Sequence, residues 1–152
     1  SGKSVHIAAF DASDADLKYF YLSSYDSSDL TERTVDSTGS VGQWTGIAIC
    51  TNSANTELNG KPVISYYNST ETGSRESIKL AYPKADIGGI EAGVDANGYT
   101  TGNWEYMTVP AITPPQGGDN KFQKVCLGFD TKGVPVLGFC ATNLEFGKWL
   151  TE

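Results

Sequence analysis

A short phrase recurs three times along this chain, and this repetition constrains the fold more than any single residue does. The clearest copy covers residues 60–68 (GKPVISYYN), and a second covers 133–141 (GVPVLGFCA). A third and looser copy, 5–11 (VHIAAFD), follows Gly2. Recurrence at a long period is typical of stacked copies of one supersecondary unit. The sequence therefore predicts an architecture of repeated units.

Ten segments have the character of β-strands, because they are short, rich in β-branched and aromatic residues, and bounded by turn residues. No segment carries the apolar stripe of an amphipathic helix. The 17 glycines among 152 residues fit a chain with many turns. We therefore expect an all-β protein. The predicted strands are 5–10, 17–22, 30–35, 45–50, 63–67, 77–82, 103–109, 123–129, 136–140 and 146–150.

The order of strands and turns divides the chain into three units. Residues 1–40 hold three strands, 41–112 hold four, and 113–152 hold three. The polar, glycine-rich stretch 85–101 is expected to be a loop inserted in the middle unit, because strand signals resume on both sides of it. Each unit is predicted to be one small sheet, with the first and last sheets incomplete.

The proline and glycine of the repeated segment have a physical reason for their positions. Pro62 and Pro135 stand at the first position of a strand, where a missing amide donor does least harm, and Gly60 and Gly133 supply the preceding turns. The strand 63–67 hardly alternates between apolar and polar residues. Such a strand is expected to be covered on both faces, as when sheets are stacked on one another.

These features resemble a β-propeller repeat found in many secreted or surface-attached bacterial proteins. Besides Gly-x-Pro and its strand, the resemblance rests on 17–19 (LKY), 78–82 (IKLAY) and 34–36 (TVD), and it covers most of the chain. It implies a β-propeller-like array of about three four-stranded antiparallel blades, the first and last incomplete. A two-sheet β-sandwich built from the same strands is the alternative.

The resemblance also implies a place and a role. A location outside the cytoplasm is expected, and the chain is predicted to be a non-catalytic binding or scaffold module that recognises protein or glycan through loops on one face. The alternative is a carbohydrate-active enzyme, sialidase-like, with carboxylates lining a channel. Propellers have four to eight blades. We therefore expect either further blades in a longer chain or several copies that assemble.

The net charge of −7 argues against nucleic acid as a partner, because phosphate binding needs clustered lysine and arginine. No apolar stretch approaches the length of a membrane span. No catalytic residue is predicted, since G-x-S-x-G is absent and the nearest sialidase-type turn, 35–39 (VDSTG), lacks its tryptophan. The single histidine, His6, is expected to be structural.

Trp44, Tyr99 and Trp104 are the predicted ligand-binding residues, because aromatic faces stack on sugars and anchor interfaces. Aromatic side chains that fill the space between blades are the alternative. Asp11, Asp14 and Asp16 crowd one turn and could supply oxygen ligands to calcium, but a solvated turn explains them as well. No other cofactor is predicted.

Three cysteines, Cys50, Cys126 and Cys140, leave at least one thiol unpaired within the chain. If the turn at 130–133 closes a hairpin, Cys126 and Cys140 lie nearly opposite one another, and a cross-strand disulfide is conceivable. Two small buried apolar residues on paired strands are the favoured interpretation.

Overall fold

The computed structural model describes residues 4–69, 77–84, 104–109, 123–140 and 144–148. These residues form ten strands and no helix, so the predicted all-β class is confirmed, and they include no helix that could cross a membrane. The strands are β1 (Val5–Asp11), β2 (Asp16–Leu22), β3 (Thr31–Asp36), β4 (Val41–Ile49), β5 (Pro62–Asn68), β6 (Ser77–Pro83), β7 (Trp104–Thr108), β8 (Gln123–Phe129), β9 (Pro135–Cys140) and β10 (Leu144–Lys148).

The strands form three antiparallel sheets, in which neighbours in sequence are neighbours in space. Sheet 1 has the order β1-β2-β3, sheet 2 has β4-β5-β6-β7, and sheet 3 has β9 between β8 and β10. The last strand begins at Leu144, earlier than the predicted 146–150. No closed sheet is found among the described residues, and the described sheets number three where the sandwich alternative has two.

Sheet 2 lies between the other two sheets and is buried on both faces. All seven residues of β5 are buried, as the sequence predicts for the strand after Pro62. Ile64 packs in one apolar cluster with Leu17 of sheet 1, whereas Val63 packs in another with Leu137 of sheet 3. Successive side chains of a strand point to opposite faces. One strand therefore serves two cores, and burying each such side chain contributes about 1.5–3 kcal/mol.

The two junctions between sheets are built from equivalent positions of the repeat. Leu17 of the first unit faces sheet 2, and its counterpart Ile78 of the second unit faces sheet 3. Tyr66 faces the preceding sheet, and so does its counterpart Phe139. The middle unit thus presents one face to the unit before it and the opposite face to the unit after it.

A loop from sheet 2 holds the turn of sheet 3. The Asn52 side-chain amide donates to the Thr131 carbonyl (2.6 Å), and that of Asn55 donates to the Gly133 carbonyl (2.8 Å). Gly133 has a φ of +76°, and a Cβ there would lie 2.8 Å from the Cβ of Asn55. Glycine at this point of the repeated phrase therefore serves both the turn and the contact between sheets.

Strand β4 approaches both neighbouring sheets and is irregular where it does so. Its register with β5 shifts twice, and Gly42 (φ +101°) and Trp44 (φ +54°) have left-handed backbone. The Thr45 hydroxyl donates to the Ala8 carbonyl of sheet 1 at 3.5 Å. A Cβ on Gly46 would lie 3.2 Å from the Val125 carbonyl oxygen of sheet 3. The bulges let one strand fit closely against two sheets.

The cysteine prediction is corrected by the register of sheet 3. Phe129 pairs with Pro135 beside the turn, and the same register places Cys126 opposite Gly138; a register shift between Gln123 and Cys126 then pairs Cys140 with Gln123. Cys126 is a free and exposed thiol, so it forms no disulfide and is not a buried apolar residue. Cys50 is also free, but it is buried.

Glycine-to-alanine substitutions at three positions test the close packing of β4 against sheet 1, because the three glycines differ in backbone conformation and in the space around them. Gly42→Ala is expected to destabilise the chain by about 3 kcal/mol, because left-handed backbone alone costs about 1–2 kcal/mol and overpacking adds to it. The added Cβ would lie 2.8 Å from the Cα of Leu17. Urea denaturation measures the loss.

Two glycines serve as matched controls. Gly60→Ala (φ +80°, nothing within 4 Å) should cost about 1 kcal/mol, from the backbone alone. Gly128→Ala meets nothing within 4 Å and needs no left-handed backbone, so its stability should equal that of the parent. Equal losses for Gly42→Ala and Gly60→Ala would contradict the close contact between β4 and sheet 1.

Candidate functional site

A groove of about 410 Å³ opens where sheets 1 and 2 meet, and we call it the Asp36 groove. Sheet 1 contributes the end of β3 and the turn that follows, and sheet 2 contributes β6 and β7. Trp104, Tyr106 and Thr108 of β7 share the face towards sheet 1, because residues two apart in a strand point the same way, and Glu105 reaches the groove from the edge of the sheet. Prominent among the lining residues are Asp36, Lys79, Trp104, Glu105, Tyr106 and Thr108.

The carboxylate of Asp36 forms the base of this groove and is only 4% exposed. It accepts hydrogen bonds from the Thr38 amide (3.0 Å), the Tyr66 hydroxyl (2.7 Å) and the Lys79 ammonium (3.3 Å). Burial alone would raise the pKa of Asp36, but these hydrogen bonds and the lysine charge outweigh it and place the pKa below its usual value. Asp36 is therefore a fixed negative charge that joins both sheets.

Tyr106 forms one wall of the groove and is 41% exposed. Its hydroxyl donates to the Val35 carbonyl, which ties the edge of sheet 2 to sheet 1 and fixes the ring. Burial first, and then the charges of Asp36 and Glu105, raise the pKa of Tyr106 to about 12. The phenol therefore remains a neutral donor throughout the physiological range.

The predicted aromatic ligand residues are placed differently from one another. Trp104 is 3% exposed and packs edge-to-face on Tyr19, with ring centroids 5.3 Å apart, so it is a core residue that leaves no open ring face. Trp44 is 44% exposed on β4, and it does not line the Asp36 groove. Tyr99, with the rest of the predicted loop 85–101, lies outside the described residues.

The aspartates of the first turn are not brought together as a metal site. The Asp11 carboxylate accepts hydrogen bonds from the Ser13 amide (2.9 Å) and hydroxyl (2.7 Å), which closes a local turn and lowers the pKa of Asp11. Asp14 is exposed, and desolvation raises the pKa of Asp16. Across the described ranges, no three His, Cys, Asp or Glu side chains are grouped to hold a metal ion.

His6 lies among tyrosines of sheet 1. Its Nδ1 is 2.7 Å from the Tyr19 hydroxyl, its Nε2 is 3.1 Å from the Ser4 hydroxyl, and its ring lies beside Tyr21. These contacts bridge β1 and β2. They match the structural role that the sequence suggests for this residue.

A second groove of about 390 Å³, the Tyr82 groove, lies where the loop 50–61 meets sheets 2 and 3. Its floor is apolar and includes Leu80, Met107 and Pro135. At its rim the Tyr82 hydroxyl donates to Glu57, and the Lys61 ammonium lies 5.8 Å from the centre of the Tyr82 ring. Of the predicted ligand-binding residues, Trp104 lines the Asp36 groove, but the sequence predicts neither groove as a whole, because each is assembled from segments far apart in the chain.

Comparisons with known proteins add no relative to this description. No protein-family model, no curated protein and no solved structure matches the chain.

The pairing of Asp36 with Lys79 predicts a pH-dependent stability. At pH 7, Lys79→Met is expected to cost about 3 kcal/mol, because it leaves a buried carboxylate without its cation. Because the native pKa of Asp36 lies below the reference value of 3.8, ionised Asp36 stabilises the parent above about pH 4 and this contribution fades at lower pH. The cost of the substitution should therefore shrink at pH 3, as urea denaturation at both values would measure.

Lys84→Met is the matched control for this substitution. Lys84 also pairs with a carboxylate, Glu105 at 3.4 Å, but both side chains are about half exposed. Exposed ion pairs contribute little, so a change within about 0.5 kcal/mol is expected. Similar losses for Lys79→Met and Lys84→Met would show that the buried pair has no special weight.

Proposed function

We propose that this chain is a non-catalytic carbohydrate-binding module, built on a propeller-type stack of small sheets and acting outside the cytoplasm, with its ligand in the Asp36 groove. The observation that carries the proposal is that groove: a half-open concavity in which two paired lysine–carboxylate contacts stand beside an exposed, anchored aromatic ring. The extracytoplasmic location rests on the resemblance of the repeat to secreted bacterial propeller proteins.

The propeller-type arrangement draws its support from the stacking. Leu17 and Ile78 face forward in successive units, and Tyr66 and Phe139 face backward. One stacking geometry applied repeatedly produces a ring or an extended array. Grooves at the junctions between units are then a natural place for ligands, since concave sites form where elements meet.

The charges of the Asp36 groove favour a neutral sugar. Asp36 pairs with Lys79, and Glu105 pairs with Lys84, so the charged groups of the lining cancel. An ionic ligand would therefore gain little from the net charge of the groove, and displacing the buried Asp36–Lys79 pair would carry a large desolvation penalty. A sugar hydroxyl donates and accepts, and so it can bond a carboxylate and an ammonium at once.

Two further groups complete this arrangement. The ring of Tyr106 offers an aromatic surface to the apolar C–H face of a sugar, and it is already fixed by its bond to Val35. The Thr108 hydroxyl, in register with Lys79, makes no hydrogen bond within the described part of the chain. Both groups line the groove, so a bound sugar would meet an aromatic face and an available hydroxyl.

The state of Asp36 favours binding over cleavage. A glycosidase needs a carboxylic acid whose pKa is raised, so that it can protonate the leaving oxygen. The pKa of Asp36 is instead lowered, and three donors already occupy its oxygens. We therefore propose that the groove holds a sugar without breaking its bonds.

An oligosaccharide array followed by titration calorimetry tests the proposal. Neutral oligosaccharides of glucose, galactose, mannose, fucose and N-acetylglucosamine should bind better than sialylated or uronic acid-containing ones. Tyr106→Ala should weaken binding at least about tenfold by removing the ring, and Thr108→Val about threefold to tenfold, the effect of one hydrogen bond. Chromogenic glycosides should show no turnover.

Tyr25→Ala is the control, because Tyr25 is 71% exposed and lies outside the groove. It should bind as the parent does, and circular dichroism should show all variants folded. Binding that survives both groove substitutions would place the ligand elsewhere. Turnover abolished by Asp36→Asn would replace the binding module with an enzyme, and failure to bind any glycan would overturn the carbohydrate proposal.

A further inference from the structure

The outer face of sheet 1 corresponds, position by position in the repeat, to the face of sheet 2 that packs against sheet 1. In sheet 1, Ile7 pairs with Phe20, and in sheet 2 the corresponding pair is Ile64 with Ala81. Ile64 is fully buried against sheet 1, whereas Ile7 is 44% exposed. Phe20 is also partly exposed. Sheet 1 thus has an outer apolar surface whose counterpart in the same chain is covered by a sheet.

The registers extend this correspondence across the whole face. Lys18 lies opposite Thr34 in sheet 1, as Lys79 lies opposite Thr108 in sheet 2. Lys18 is bonded within its own sheet, donating to Thr34 at 2.9 Å, whereas Lys79 reaches across to Asp36 of the preceding unit. The polar positions of the outer face are therefore satisfied, and the apolar ones remain open.

The outer face of sheet 3 corresponds to the other face of sheet 2, the face that packs against sheet 3. In sheet 2 that surface includes the paired residues Gly46 and Ser65, which lie against β8. In sheet 3, Cys126 with Gly138 occupies the same register position. Gly128, the next outward residue of β8, meets nothing within 4 Å of an added Cβ. None of Cys126, Gly128 and Gly138 carries a charge or a bulky side chain.

We infer that a second copy of this chain docks the outer face of its sheet 3 on the outer face of sheet 1, so that copies associate head to tail. Two junctions inside the chain already bury these two kinds of surface against each other, and no sheet of the described residues covers either outer face. Bulky Ile7 and Phe20 would meet the small residues of β8 and β9. A contact between two different surfaces is heterologous, so it closes into a ring or extends as a fibre.

Sedimentation velocity over a range of concentrations, under reducing conditions, tests the inference. The parent should sediment as a mixture of the 16.2 kDa monomer and multiples of it, with the larger species growing with concentration. Ile7→Asp on one face and Gly128→Glu on the other should each remain monomeric, because each buries a charge in the contact. We expect both variants to fold as the parent does, since Ile7 is 44% exposed and a Cβ on Gly128 meets nothing within 4 Å.

Mixing the two variants separates head-to-tail contact from any symmetric one. Ile7→Asp keeps an intact sheet 3 face and Gly128→Glu keeps an intact sheet 1 face, so an equimolar mixture should form dimers and nothing larger. Tyr25→Asp, a charge on an exposed turn, should associate as the parent does. A parent that is monomeric at every concentration, single variants that still associate, or a mixture that forms no dimer would each overturn the inference.

Discussion

The burial of both faces of sheet 2 is the constraint on which the rest of this structure depends. A strand such as β5, with all seven residues buried, cannot be half of a simple two-layer fold in which one face meets water. It needs a sheet on either side, and the chain supplies sheet 1 before it and sheet 3 after it. Both junctions, both grooves and the exposed outer faces follow from this stacking.

The two junctions use the same positions with different chemistry. At the first junction, Tyr66 donates to Asp36, which closes the Thr34-Val35-Asp36 strand end. The second unit ends in Thr108-Val109-Pro110, with proline where the first has aspartate, and the third unit has Phe139 where the second has Tyr66. At the positions equivalent to Asp36 and Tyr66, the later units thus lack both the carboxylate and the hydroxyl. A buried hydroxyl without an acceptor is therefore avoided there. Among the described residues, the carboxylate–hydroxyl bond is thus found at the first junction, whereas Asn52 and Asn55 supply the polar contacts of the second.

Much of the fold could be predicted from the sequence because its signals are local. Strand composition and turn residues identified ten strands, and short connections between consecutive strands made three antiparallel sheets the natural grouping. The predicted opposition of Cys126 and Cys140 failed because the loop between Phe129 and Pro135 sets a register in which Cys126 faces Gly138, two residues before Cys140. Trp104, a predicted ligand-binding residue, packs beside Tyr19 because it begins β7, and it also lines the Asp36 groove, so its role stays a prediction.

The Asp36 groove could not be predicted from the sequence, although two of its residues belong to the repeated segments. Asp36 and Lys79 belong to the TVD and IKLAY segments, and the pattern indicates strands there but not that the lysine of one unit reaches the aspartate of the unit before it. That contact depends on how the sheets stack, which is a long-range property. Tyr106 has no distinctive neighbour in sequence, and its bond to the Val35 carbonyl forms only when the two sheets meet.

The hold of the loop 50–61 on the turn of sheet 3 bears on how this protein can evolve. Asn52 and Asn55 donate to main-chain carbonyls, which every amino acid provides. Thr131 and Lys132 can therefore drift among homologues without loosening the attachment, while Gly133 cannot, since any side chain there would collide with Asn55. Side chains at the tip of this hairpin can thus be replaced without loss of the contacts that hold sheet 3 to the loop 50–61.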